Sequence, residues 1–320
     1  MGFVPTDERA PRLHVVTGKG GTGKTTVAGA LALALARQSQ RVLLVEVEGR
    51  QGLAQLFDTP PLPYSETRMA AAGHGEVVGL AVDAEAAMLE YLEMFYSIKR
   101  AGSVLRKMGA IDFVTTIAPG LRDVLLTGKV KEAVTRTERS GRPHFDAVVL
   151  DAPPTGRITQ FLQATHEVAG LAKMGPIHRQ SQGVIELLHS AQTQVHIVTL
   201  LEEMPVQETL DAAAELRAAG YRIGRLLVNR ARPALVAAGR PEVALLARGL
   251  TAAGLDPALA PALAAEVSAY GQRQDVQARA GAELEQAGAP ITSLPELPPP
   301  LDLGSLFELA DALDVRTWWS

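Results

Sequence analysis

Gly18-Lys19-Gly20-Gly21-Thr22-Gly23-Lys24-Thr25-Thr26 follows directly on the apolar run Leu13-His14-Val15-Val16-Thr17. The stretch meets the phosphate-loop pattern G-x-x-x-x-G-K-[ST] at every fixed position and adds a second lysine, Lys19, inside the variable part. Its surroundings fit as well: a short β-rich run, a glycine turn, then residues 27–37, whose composition reads as helix. Chemistry accounts for the spacing. Glycines let the backbone fold tightly enough for several N–H groups to converge on an anion. A helix opening at Thr25 directs unpaired N–H groups and the positive end of its dipole at the same point. Lys24 then reaches the β- and γ-phosphates, and the Thr25 hydroxyl can ligate Mg²⁺. A plain glycine turn before a buried helix, with both lysines facing solvent, leaves the ordered strand, loop and helix unexplained. The expected ligand is a nucleoside triphosphate held by residues 18–26.

Composition sets limits on the rest. A chain of 320 residues with 47% hydrophobic content can bury a large core, as one elaborated domain or two. A net charge of −4 gives no footing for a general nucleic-acid partner. No apolar run approaches the roughly 18 residues that a spanning helix needs. Residues 1–12 carry Asp7, Glu8 and two prolines, which suits a flexible tail and not a secretory leader, so a cytoplasmic location is expected. The chain has no cysteine, which removes disulfides, thiolate metal sites, cysteine nucleophiles and iron–sulfur clusters together.

Strand-like runs fall at 13–17, 42–47, 77–82, 147–150, 195–200, 223–229 and 291–294, with helical stretches between them. Several are near-continuous Val, Ile and Leu, as parallel strands buried on both faces require. Residues 27–37 are alanine- and leucine-rich all round and should lie against the sheet. Residues 205–219 place Val206, Leu210, Ala213 and Leu216 on one face, with Glu208, Asp211 and Glu215 turned away as on an outer helix. The expectation is an α/β fold with a mostly parallel, doubly wound sheet and ligands at the carboxyl ends of its strands. Residues 13–320 are read as a single domain, with helical insertions at about 83–138, 158–190 and 233–280 packed on one side of the sheet.

Asp151 ends the apolar run Phe145-Asp146-Ala147-Val148-Val149-Leu150, the place from which a carboxylate can hold Mg²⁺, usually through a water. A strand-ending Asp that merely caps a turn is the alternative. Ala152-Pro153-Pro154-Thr155-Gly156 follows, a rigid turn and then a flexible one, suited to sensing the γ-phosphate.

Together these motifs resemble the MinD/ParA/ArsA group of ATPases, whose deviant loop carries the extra lysine. Asp151 to Gly156 is similar to the D-T-A-P-T-G switch of the ArsA branch, altered at its second and third residues. That branch contains the arsenite-pump motor and the guided-entry ATPases for tail-anchored membrane proteins. Val198-Thr199 with Glu202, Glu208 and Thr209, and Leu227-Val228-Asn229, agree further. The wording of residues 45–52 and 116–123 looks most like actinobacterial ArsA-like ATPases, often members of a pair. The resemblance implies ATP and Mg²⁺ as cofactors, with Asn229 reading the adenine edge and a loop containing Pro295 and Glu296 covering the base. It implies a homodimer or a heterodimer with a paralogue, in which Lys19 meets the phosphates of the opposing subunit. Physically, that is a mobile charge supplied in trans as negative charge builds.

Three departures from the family stand out. Its first switch reads D-P-A-H-N, the aspartate orienting the attacking water. Aligned on Leu53 and Phe57, this chain has Glu48-Gly49-Arg50-Gln51-Gly52, and Glu48 is one methylene longer. A displacement near 1 Å can lower a rate about 10²-fold. Arg157 stands where the second switch has histidine. Without cysteine, neither an arsenite nor a zinc thiolate site can form.

Met69, Met88, Met94 and Met108 lie in or near the first insertion, where Met88, Tyr91, Leu92, Phe95 and Ile98 recur at helical spacing. Such a stripe can re-pack around a hydrophobic client or membrane protein, or simply pack within the fold. Three functions remain open: an ATP-gated dimer presenting that surface, a MinD/ParA-like positioning switch, and a low-turnover regulatory subunit of a paralogous pair. A positioning switch would need a basic amphipathic tail. Residues 306–320 are instead acidic and end in Trp318-Trp319, which could pack on a partner. The location could then be peripheral to a membrane through that partner.

Overall fold

The computed structural model describes residues 11–49, 51–96, 119–171, 176–236 and 242–318. Its strands are β1 (Leu13–Gly18), β2 (Arg41–Glu46), β3 (Thr67–Ala72), β4 (Gly75–Ala81), β5 (Ala147–Asp151), β6 (Thr193–Thr199), β7 (Ile223–Ala231) and β8 (Ile291–Pro295). They form one sheet in the order β3-β4-β2-β5-β1-β6-β7-β8. Every neighbouring pair is parallel except β3 with β4. The seven expected strands are all present, and the sheet is the mostly parallel α/β layer that the apolar runs imply. The antiparallel edge strand β3 is additional. Met69 sits within it and belongs to the core of the sheet, its sulfur lying over Gly79 where any Cβ would collide. It is therefore not part of a methionine-rich helical surface.

Helices cover both faces: α1 (Lys24–Ala36), α2 (Gly52–Leu56), α3 (Ala84–Tyr96), α4 (Pro119–Thr135), α5 (Thr155–Leu171), α6 (Pro176–His189), α7 (Glu203–Ala218), α8 (Val243–Ala252), α9 (Ala260–Leu284) and α10 (Leu303–Leu313). Residues 27–36 of α1 are buried without interruption between the sheet and α10, which explains an apolar composition on every side. Val16, Leu44 and Val149 point into this core, while their neighbours Val15, Leu43 and Leu150 point into the opposite one. The alternation makes each strand apolar throughout.

On the opposite face α4, α5 and α6 pack on one another and α3 packs on α4. α9 joins that face through α7, with Ala280 and Leu284 in the shared core. Met88 packs against this core from α3. The side chains of Tyr91, Leu92, Met94 and Phe95, and all of Ile98 and Met108, lie outside the described residues. Residues 1–10 of the expected tail do too. Pro11 is buried and Arg12 is tied in, its guanidinium donating to Phe145 O at 2.9 Å and its carbonyl accepting Val148 N–H at 2.7 Å.

At the end of the sheet away from the loop, His14 and His196 are fully buried and stacked, ring centroids 5.4 Å apart. Arg225 N–H can only donate, so His196 Nδ1 accepts it at 3.2 Å. His196 Nε2–H then donates to His14 Nδ1 at 3.1 Å, and His14 Nε2–H to Pro11 O at 3.2 Å. Both rings must be neutral for this chain of bonds to hold. Trp318 closes it off, its ring 5.3 Å from His196 and beneath the Arg225 guanidinium, its indole N–H donating to Leu313 O. Trp318 is thus engaged within its own chain.

Burial lowers His14 to about 4, and burial with the nearby Arg225 charge holds His196 well below the ordinary histidine value. Above about pH 6.5 both rings are neutral in the folded and unfolded chain, and pH has no effect through them. Below that value the unfolded chain takes up protons that the folded one refuses, so stability falls as pH drops, until the folded rings titrate. Urea unfolding at pH 7 and pH 4.5 should expose this loss, with His14 alone responsible for on the order of 3 kcal/mol at its limit. His14→Gln, which cannot titrate, should remove that share of the pH slope; an unaltered slope would contradict the assignment.

Candidate functional site

The loop between β1 and α1 is shaped by close contacts. The Thr22 N–H and hydroxyl both donate to Lys19 O, at 3.3 and 2.9 Å, closing the turn. A Cβ at Gly18 would stand 2.2 Å from Val198 O, so the loop can leave β1 beside β6 only with glycine there. Gly23 has φ +87° and an added Cβ would reach 2.4 Å from Asn229 Nδ2. Gly20 and Gly21 face open space, where a Cβ meets nothing within 4 Å. Gly23 caps α1 without a side-chain bond, and the first helical donor is Val27 N–H to Gly23 O at 3.0 Å. The N–H groups of Lys24, Thr25 and Thr26 are those a helix start leaves without intrahelical partners.

Beneath the loop, the carboxyl ends of β2 and β5 bring acidic groups together. Thr25 Oγ1 donates to Asp151 Oδ2 at 2.6 Å. Asp151 Oδ1 is buried and has no hydrogen-bond partner among the described residues. Burial is the main cause that pushes the Asp151 carboxyl up to about 6; the Thr25 bond and the Lys24 charge pull it down, while Glu46 and Glu48 push it further up. A carboxylate oxygen left bare in the interior is costly unless a cation or its water completes it. The Thr25 hydroxyl and Asp151 carboxylate therefore fit a divalent cation.

Glu46 was not singled out in the sequence, where it reads as the end of an apolar strand. It lies opposite Asp151 in the β2–β5 register and is 2% exposed. Its carboxylate accepts Gln51 N–H at 2.5 Å and Leu53 N–H at 3.3 Å, anchoring the start of α2. A Cβ at Gly52 would lie 3.2 Å from Thr25 Cγ2, so α2 begins against the phosphate loop. Glu48 is half-buried in the segment between β2 and α2, and its charge is felt at Asp151; Arg50 lies outside the described residues.

The second switch runs straight into α5, three residues earlier than the expected insertion. Thr17 Oγ1 donates to Pro153 O at 2.7 Å, fixing the turn to β1. Arg157 approaches the buried Asp123 of α4 at 3.8 Å. Burial raises the Asp123 carboxyl, and Arg157 with Arg122 opposes the rise.

Asn229, near the end of β7, is buried and clamps the loop. Its Nδ2 donates to Thr22 O at 2.8 Å and its Oδ1 accepts Arg230 N–H at 3.0 Å. A cavity of about 440 Å³ opens there, lined by Leu201, Glu202, Asn229, Arg230, Glu296 and residues of α9. Glu296 pairs with Arg232 at 2.6 and 3.1 Å, while Pro295 pairs with Ala231 in the sheet and is not among the lining residues. The Lys19 side chain pairs with Glu208 of α7.

Residues 12–190, more than half of the chain, match the family described as Anion-transporting ATPase. The chain belongs to this family. Among anion-transporting ATPases and their kin, it is 52% identical to ATPase BagA of Mycobacterium tuberculosis, over 94% of this chain and 92% of that one. It is 27% identical to an arsenical pump-driving ATPase of Escherichia coli, over 72% of this chain and 41% of the relative. ATPase GET3 of Eremothecium gossypii is 29% identical over 46% of this chain and 43% of its own. The phosphate loop and Asp151 fall within the matched segment. Among the described residues, no helix is long and apolar enough to cross a membrane.

Proposed function

We propose that this family member binds and hydrolyses Mg²⁺·ATP at the β1–α1 loop, and that ATP closes a dimer of two such chains or of this chain with a paralogue. The carrying observation is the Thr25–Asp151 pair, with its bare Oδ1, beneath an uncapped helix start. In this reading the N–H groups of Lys24, Thr25 and Thr26 at the helix start and the Lys24 ammonium hold the phosphates. Thr25 and Asp151 hold Mg²⁺, which when bound neutralises phosphate charge. Glu48 orients the attacking water, and Glu46 fixes the segment that carries it. Lys19 serves the opposing subunit.

Asn229 supports adenine as the base. Two of its hydrogen-bonding sites are taken, which leaves one N–H and one carbonyl lone pair. That combination matches adenine, which offers an acceptor at N7 beside a donor at N6; guanine offers two acceptors. Calorimetry should find Mg²⁺·ATP bound more tightly than Mg²⁺·GTP, by roughly the 1–3 kcal/mol of one bidentate contact. Asn229→Ala should erase the preference. Equal affinities in the wild type would refute adenine recognition by this residue.

The dimer is read as acting on a hydrophobic client or a membrane protein. The exposed Leu245, Leu259 and Leu263 on and beside α8 and α9 support an apolar partner surface there, whereas Met88 is spent on the core. A low-turnover regulatory subunit is favoured by one observation, the engagement of Arg157 with Asp123. Light scattering with and without ATP, combined with co-purification and a hydrolysis assay, tests dimer, partner and turnover together.

A further inference from the structure

Lys19 Nζ donates to Glu208 Oε1 at 2.6 Å, with 32% and 38% of the two side chains exposed. Helical spacing places Glu208 with the charges on the outer side of α7, yet it lies against the phosphate loop. Both ends of the pair rest on fixed backbone. The Lys19 carbonyl is held by the Thr22 N–H and hydroxyl, and the preceding Gly18 is packed on β6. α7 is anchored by Val206, Thr209, Ala213 and Leu216, all buried. Only the two side chains are free to change partners.

We propose that Glu208 is a positioning residue that holds Lys19 off the phosphates in the nucleotide-free chain, and so sets the ATP concentration at which the lysine is released. The inference rests on the reading of Lys19 as a phosphate-directed lysine. Magnitudes suit a bias and not a lock. A half-exposed pair of this kind is worth up to about 1 kcal/mol, a factor of about five in an equilibrium. A triphosphate, with several charges in reach, outcompetes one carboxylate at similar distance. Once Lys19 leaves, α7 loses its tie to the loop. Because α7 packs on both α5 and α9, the helical layer then registers the state of the nucleotide site.

The test uses the full chain as wild type, Glu208→Gln and Glu208→Asp. Without nucleotide, an amine-reactive ester should label Lys19 severalfold faster in Glu208→Gln, because losing the ion pair frees the lysine side chain to meet the reagent. Lys24 labelling should be unchanged. Half-saturating ATP for hydrolysis should fall by about threefold to fivefold in Glu208→Gln, with a smaller change in kcat, and Glu208→Asp should move both readouts back toward wild type. Equal Lys19 labelling in wild type and Glu208→Gln overturns the proposal, and so does faster labelling with unchanged half-saturating ATP. Failure of the dimer reading looks different: wild-type mass does not respond to ATP, while the nucleotide-free labelling contrast still decides whether Glu208 holds the lysine.

Discussion

Lys24→Ala should abolish tight Mg²⁺·ATP binding. The ammonium stands at the first position of α1, where the helix dipole already favours anions, and it provides the full positive charge for the β- and γ-phosphates. Its loss acts a second time through Asp151. Lys24 is one of the two influences that pull the Asp151 carboxyl down; without it, Glu46 and Glu48 act with less opposition. More of Asp151 would then be protonated near neutrality and unable to serve a cation. Loss of one partner of a buried, charge-assisted contact weakens binding by roughly 2–5 kcal/mol, on the order of 10²-fold or more. Lys24→Arg should not rescue, since the planar guanidinium lacks the compact charge that fits under the loop. Calorimetry decides: an alanine variant with wild-type affinity would remove the phosphate-loop assignment.

Glu48→Gln should leave nucleotide affinity in place and lower kcat by roughly 10²–10⁴-fold, the range for losing a general base. The amide keeps the shape and most hydrogen bonds of the carboxylate while losing the charge that polarises water. Glu46 supplies a comparison on the same strand end. Its two backbone acceptor bonds hold the start of α2, so Glu46→Gln should disturb the segment and lower stability as well as rate. Glu48→Asp shortens the arm by one methylene, and a faster enzyme would identify the longer arm as the handicap. Steady-state hydrolysis that is unchanged in Glu48→Gln, alone and with a paralogous partner, would leave Glu48 without a catalytic part.

The sheet and its ligand end were legible because their signals are local. Near-continuous Val and Leu mark strands buried on two faces, and a loop of fixed spacing needs no distant residue to be recognised. What was missed depends on contacts that no sequence period marks. β3 is Thr67-Arg68-Met69-Ala70-Ala71-Ala72, alanine-rich and irregular, with a register shift between Arg68 and Ala70, so it carries no clean period of two. Glu208 follows its helix's charged stripe by spacing, but the loop folds up to meet it. Glu46 sits in an apolar run where a carboxylate looks incidental until the start of α2 is seen bending over it. Trp318 reads as free for a partner until Arg225 and His196, both remote in the chain, provide its seat.

The packing of α1 against α10 has a consequence for biosynthesis. Leu306, Leu309, Ala310 and Leu313 complete the core around the helix that bears the nucleotide loop, yet they are made long after it. During synthesis the apolar flank of α1 has no cover for on the order of tens of seconds at ordinary elongation rates. A nascent chain should therefore be protease-sensitive at α1 and in need of chaperone protection until α10 clears the ribosome. Pulse proteolysis of stalled chains, with and without residues 303–313 outside the tunnel, would locate the moment at which the nucleotide site becomes rigid.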